Sequence, residues 1–255
     1  MCKAFSCLVT RGNKVYWKAG VDSHEDILQL FKGEDSNLSD DKQPPLNTFA
    51  RIEIVPPKGD YLNTNFEKWK YQIDESIKPS FLKGKHEDLC RQTMLEWTKE
   101  VYTFNVEEAR NPINPFKIAS PTEVTVEHLA LLKQWASVWA SVGDSVWASV
   151  GDSVWASVRA SVWASVWDSV WDSVWDSVGA SVWASVGDSV GAYIGSIFPH
   201  IKTWKYVDPT ICKDGYPFQS AVDLWKLGLV PSFNGKIWRL HGGTDAKILW
   251  EGEIK

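Results

Sequence analysis

The sequence predicts an α+β protein in which two small mixed modules flank a central β-solenoid built from a tetrapeptide repeat. Three observations predict it. Residues 135–190 are fourteen uninterrupted copies of one unit, [Trp/Gly/Arg]-[Ala/Asp]-Ser-Val, followed by two decayed copies, Gly191-Ala-Tyr-Ile194 and Gly195-Ser-Ile-Phe198. The segments on either side mix period-two apolar runs with amphipathic ones. Charge divides the same way: residues 135–194 hold six Asp and one Arg, a net of −5, while the other 26 acidic and 26 basic residues cancel.

Repeats set architecture before local propensity does. In the array Ser and Val never vary, whereas the first place is Trp nine times, Gly four times and Arg once (Arg159). A place that accepts Trp, Gly or Arg is not expected in a close-packed interior, so Ser and Val are expected to face inward. On an α-helix a period of four drifts about 40° per unit. A partner following that stripe over fourteen units would bend to a radius of about 20 Å, against roughly 60–100 Å for natural helices. A contact of three or four units suits the small-xxx-small pattern of Ser-Val-x-x-Ser-Val. Val, Ser, Trp, Asp and Gly each disfavour helix by roughly 0.5–1 kcal/mol relative to Ala. Short Ser-Val-Trp runs with Gly-Asp corners favour stacked strands. The alternative is one long α-helix.

In the first module, 4–10 and 14–18 read as strands around an Arg11-Gly12-Asn13 turn. Residues 24–31 read as a short helix with acid in its first turn. A polar loop spans 32–46, and 48–55 is a strand ended by Pro56-Pro57. Residues 87–102 are the clearest helix, with Cys90, Met94, Trp97 and Val101 on one face. Ser120-Pro121-Thr122-Glu123 has the form of a capping box with proline at the first helical position. Beyond the array, 203–207 reads as a strand, 217–227 as a helix closed by Gly228, and 236–241 and 247–251 as strands, with Asn234-Gly235 as a hairpin turn. The division is therefore 1–112 for the N-terminal module, 113–134 for a linker and capped helix, 135–198 for the array and 199–255 for the C-terminal module.

Composition narrows the function. The balanced flanks hold no basic groove for nucleic acid. The chain has no leader-like N-terminus and no uncharged stretch of membrane-spanning length, and its four cysteines (Cys2, Cys7, Cys90, Cys212) lack metal-site spacing, so a reduced, cytoplasmic setting is expected.

Met1-Cys-Lys-Ala-Phe-Ser-Cys7, Val15-Tyr-Trp-Lys-Ala-Gly-Val-Asp-Ser-His24, the Ser-Val array, and the stretches from Pro217 to Phe233 and Trp238 to His241 together resemble a group of uncharacterised bacterial and phage proteins. The resemblance implies no activity. In architecture alone the array also resembles pentapeptide-repeat solenoids.

Candidate chemistry is sparse. His24-Glu25-Asp26 and His86-Glu87-Asp88 would act on a metal or a proton only if histidine and carboxylate converged in space; the expectation is that both open helices, with no metal and no cofactor. Cys2, exposed by loss of Met1, would be an N-terminal nucleophile with its own amine as base, but Lys3 replaces the glycine of the amidotransferase start. His200 and His241 have no visible partner in the sequence. The tryptophan row, represented by Trp163, Trp167, Trp171 and Trp175, is the expected binding surface, for a protein partner or for self-association. The expected function is thus a non-enzymatic repeat protein. The alternatives are an enzyme built on Cys2 and an acidic nucleic-acid mimic, the latter disfavoured because six carboxylates are sparse against one charge per about 1.7 Å of duplex.

Overall fold

The structure is a computed structural model that describes all residues except 1–4, 22, 39–47, 143–145, 158–159, 176–179, 212–214 and 255; the side chains of 155–161 and 175–185 also lie outside the described set. The chain is α+β and divides into two compact units, Met1–Thr103 with Ser157–Ser165, and Phe104–Ala156 with Val166–Lys255.

The first unit is built on an antiparallel sheet of order β2-β1-β3-β4: β1 Phe5–Thr10, β2 Val15–Tyr16, β3 Phe49–Val55 and β4 Lys70–Ile73. Every residue of β1 is buried, because the strand is covered on both faces. Alternation sends Leu8 toward α1 (His24–Phe31), where it clusters with Ile27, Leu28 and Leu38. It sends Phe5 toward α2 (Gly84–Val101), whose Trp97 ring lies 5.5 Å away. β3 alternates in step: Ala50, Ile52 and Ile54 are buried beside Val9, Cys7 and Phe5, while Arg51 and Glu53 share the half-exposed face opposite Leu8 and Ser6. Ser23 caps α1, its Oγ accepting from Glu25 and Asp26 N–H groups at 3.2 and 3.3 Å. The strand β4 escaped the sequence reading because Lys70–Ile73 is short and only half buried.

The array corrects the main expectation. It is not a β-solenoid, and it is not one long helix. Its described residues form helices α4 (Val126–Ser141), α5 (Val146–Ser157), α6 (Ala160–Trp175) and α7 (Ala180–Ser196). α5, α6 and α7 each hold three or four repeat units, and α4 ends with the first two. Over that span the Val stripe sweeps only about 120°, which one packing face accommodates. Val146, Val150, Val154, Val162, Val166, Val170, Val174, Val186 and Val190 are all at most 1 % exposed. Burying one valine contributes roughly 1.5–3 kcal/mol, while its helix propensity costs only about 0.5 kcal/mol, so burial decides the backbone.

The remaining elements belong to the second unit. α3 (Val106–Arg110) is followed by α4, which starts at Val126, five residues beyond the proline of the expected capping box. Ser120 is engaged elsewhere, its Oγ donating to Gly228 O at 3.3 Å, and the cap is Thr125, whose N–H donates to His128 Nδ1 at 3.0 Å. α8 (Gln219–Lys226) ends at Gly228, with φ +72°, and leads into an antiparallel sheet β5-β6-β7 made of Leu229–Phe233, Trp238–Gly242 and Lys247–Gly252. Residues 203–207 are not a strand: the Lys205 N–H donates to Ser153 Oγ at 2.8 Å, and its carbonyl accepts from Ser149 Oγ. β5 carries Pro231, which is tolerated because β5 is an edge strand whose proline carbonyl accepts from Ser189 Oγ at 2.8 Å.

α5 and α7 pack backbone to backbone through the decayed units. A Cβ on Gly191 would lie 3.1 Å from Trp147 Cα, and one on Gly195 would lie 2.2 Å from Tyr216 Oη. The first place of the repeat is therefore closely packed here, as it is at Trp135, which is 1 % exposed. The inference that this place avoids the interior fails at the ends of the array, where α4 and α7 meet the sheet module. Tyr193 and Trp225 stack at 5.0 Å and join α7 to α8.

Candidate tryptophan–aspartate face

A period of four places successive first-position side chains one helical turn apart on a single face. On α6 this brings Trp167 and Trp171 into a stack, with ring centroids 5.1 Å apart and planes inclined by 22°. Trp147 of α5 meets Trp167 edge-on at 5.6 Å. Trp147 is 46 % exposed, a large fraction for so apolar a side chain. Asp168 and Asp172 follow the two stacked rings and are exposed. The result is an aromatic ladder edged by two carboxylates.

Of the four tryptophans that the sequence nominates, Trp167 and Trp171 are brought together in this ladder. Trp163 is half-buried on the first part of α6, and the Trp175 side chain lies outside the described residues, as does Cys2. Trp147 was not nominated. Its pairing with Trp167 depends on the array folding back on itself, and the period alone does not say where the helices end.

The other aspartates of the array that are described serve the fold. Asp188 Oδ2 accepts from Trp139 Nε1 at 2.7 Å, and Oδ1 accepts from the Trp147 N–H at 3.1 Å, in the first turn of α5. Asp152 accepts from Lys205 Nζ at 2.6 Å and from Tyr206 Oη at 3.2 Å, and its carboxyl is held below its usual range chiefly by the Lys205 bond.

Three other clusters bear on chemistry. Ser232 Oγ and His241 Nε2 lie 2.7 Å apart and resemble a nucleophile–base pair. His241 Nδ1 donates to Ala246 O at 2.9 Å, so Nε2 accepts from the serine. Both residues are closed to solvent, at 3 % and 2 % exposed, so no substrate reaches Oγ and the pair ties β5 to β6. His241, unpartnered in the sequence reading, thus has two partners. In the first unit Arg11, Ser80, Phe81, Lys83, Lys85 and His86 line a basic hollow of about 350 Å³ at the start of α2. His86 Nδ1 accepts the Lys83 N–H at 3.1 Å, and burial followed by the neighbouring Lys85 lowers its pKa. Third, His24, Glu53 and Asp74 place one nitrogen and two oxygens within 4.8 Å of one another. Glu25 and Asp26, the carboxylates adjacent to His24 in sequence, are not part of this group.

Comparison with protein-family models, with curated proteins and with solved structures returns no match. Among the described residues, no helix is long and apolar enough to cross a membrane.

Proposed function

We propose that this chain is a non-enzymatic interaction protein whose array presents the Trp147–Trp167–Trp171 ladder to a protein segment rich in arginine or lysine. The observation that carries this reading is the ladder itself: the stacked indoles of Trp167 and Trp171, with the 46 % exposed Trp147 set edge-on against them, beside the exposed carboxylates Asp168 and Asp172. Indole faces attract guanidinium and ammonium groups, at about 0.5–1 kcal/mol for an exposed pair and more on desolvation. Tryptophan is also the residue type most often found to dominate interface energies. The net charge of −5 in the array supports a cationic partner. A nucleic-acid mimic is less well supported, because Asp152 and Asp188 are spent on internal bonds.

The test is titration of the full chain with a poly-arginine peptide, followed by tryptophan fluorescence and calorimetry. The triple variant Trp147→Ala, Trp167→Ala, Trp171→Ala should keep its helical circular dichroism and lose at least tenfold in affinity. Unchanged affinity would reduce the array to a scaffold. Sedimentation of both proteins over a range of concentrations examines the competing occupant: assembly of the wild type that the triple variant abolishes would assign the face to a second copy of this chain instead.

A further inference from the structure

We propose that His24, Glu53 and Asp74 form a binding site for a divalent transition-metal ion, which would pin the start of α1 to β3 and to the end of β4. The site lies wholly within the first unit and is independent of the tryptophan ladder.

The tautomer of His24 is set by its surroundings. Its ring is 4 % exposed, and Nε2 lies 3.0 Å from the carbonyl oxygen of Ile52. A carbonyl only accepts, so Nε2 carries the proton and donates. In neutral imidazole the lone pair then sits on Nδ1. Nδ1 points at Asp74 Oδ2, 3.1 Å away. Two acceptors face each other at contact distance, an arrangement that requires either a proton or a metal ion between them.

The surroundings favour the metal. Glu53 brings a second carboxylate to the same place, and the three donor atoms all lie within 4.8 Å of one another. An ion bonded at about 2.0–2.2 Å to nitrogen and oxygen sets neighbouring ligands about 2.8–3.6 Å apart, from octahedral to tetrahedral angles, a range that contains the 3.1 Å between His24 and Asp74. A histidine that donates its second ring N–H to a backbone carbonyl is the usual outer support of a metal-binding imidazole. The sheet supplies the frame. Ile52 pairs with Ile73 and Glu53 with Gln72, while the Asp74 N–H bonds the Arg51 carbonyl at 2.9 Å, so Glu53 and Asp74 share the face that α1 covers. Arg51 is committed elsewhere, to Glu75 at 3.2 Å. One imidazole and two carboxylates suit Zn²⁺, Co²⁺ or Mn²⁺ rather than an oxygen-only cation, and three protein ligands leave coordination positions open.

The experiment is calorimetric titration of the full chain, stripped with chelator, with Zn²⁺ alone, and with Mg²⁺ as control. One Zn²⁺ should bind per chain and raise Tm, while Mg²⁺ should do neither. Asp74→Asn and Glu53→Gln, at exposed and half-buried positions, should each weaken Zn²⁺ at least tenfold while leaving the apo protein folded. His24→Ala should abolish the site. Co²⁺ should give a visible spectrum without a thiolate charge-transfer band, which separates this trio from cysteine ligation. Absence of Zn²⁺ binding, affinity unmoved by Asp74→Asn and Glu53→Gln, or a thiolate band would overturn the proposal and leave the trio as a histidine–carboxylate ion pair.

Discussion

The indole N–H of Trp139 donates to Asp188 Oδ2 at 2.7 Å, joining the second unit of the repeat to its fourteenth. The other oxygen of the same carboxylate accepts the Trp147 N–H, where α5 begins. An aspartate of α7 thus caps a different helix and anchors a third, and residues 41 and 49 positions apart are tied by one side chain. Copies of a single motif have acquired separate structural duties.

Asp188→Ala should therefore cost about 2 kcal/mol, since it leaves an indole and a helix N-terminal N–H without their acceptor. Asp168→Ala, at an exposed position of the same motif, should stay within about 0.5 kcal/mol of wild type. Urea denaturation of the two variants checks the contrast; equal effects would mean that the aspartates are interchangeable.

The valine stripe sets the energetic scale of the array. Val170 is fully buried, and Val170→Ala should cost about 2 kcal/mol from two lost methyl groups and the cavity they leave. Trp171→Ala, at a half-buried position one residue on, should change stability by less than about 1 kcal/mol. A larger loss at the tryptophan would place the core on the wrong side of the helix.

Two glycines of α7 should respond with opposite signs. Gly191→Ala forces a Cβ to 3.1 Å from Trp147 Cα, a backbone atom that cannot swing away, and should destabilise by about 1–3 kcal/mol. Gly187 has no atom within 4 Å of an added Cβ and lies inside the helix, so Gly187→Ala should stabilise by about 0.5–1 kcal/mol. Thermal melts of both variants measure this directly.

Acid should destabilise the fold through its buried imidazoles. Burial lowers the pKa of both His86 and His241 in the folded state. As pH falls below about 6.5, the unfolded chain takes up protons that the folded chain refuses. Stability from these two residues is therefore fully present above that pH and declines as pH falls through the folded pKa values. Urea midpoints measured from pH 7.5 down to pH 5 should fall, and His241→Gln should flatten part of that slope. A slope unchanged by His241→Gln would remove His241 from the account.

Much of the α+β frame was legible because it obeys local rules. Phe49–Val55 alternates, the mostly apolar Phe5–Thr10 runs into the Arg11-Gly12-Asn13 turn, Ser23 caps α1, and Asn234-Gly235 turns the hairpin between β5 and β6. The array misled because its propensities and its period pointed away from one continuous helix, and that objection is sound for fourteen units. It does not apply to three or four, and the period carries no mark of where a helix stops. Pro231 and the half-buried Lys70–Ile73 hid β5 and β4 for the opposite reason, since tertiary contacts there override weak local signals. Of the candidate sites, Trp167 and Trp171 could be read from spacing. Trp147, and the meeting of His24 with Glu53 and Asp74, depend on chain reversals that no single motif encodes.

The repeat folds as short helices on buried valine. Selective ¹³C labelling of valine in the full chain reads this out, because valine holds the fourth place of all fourteen intact units. Most valine Cα resonances should shift downfield of their random-coil position, as helical residues do, and their amides should exchange slowly with solvent. A majority shifted upfield, the mark of extended backbone, would contradict this and restore the stacked-strand reading.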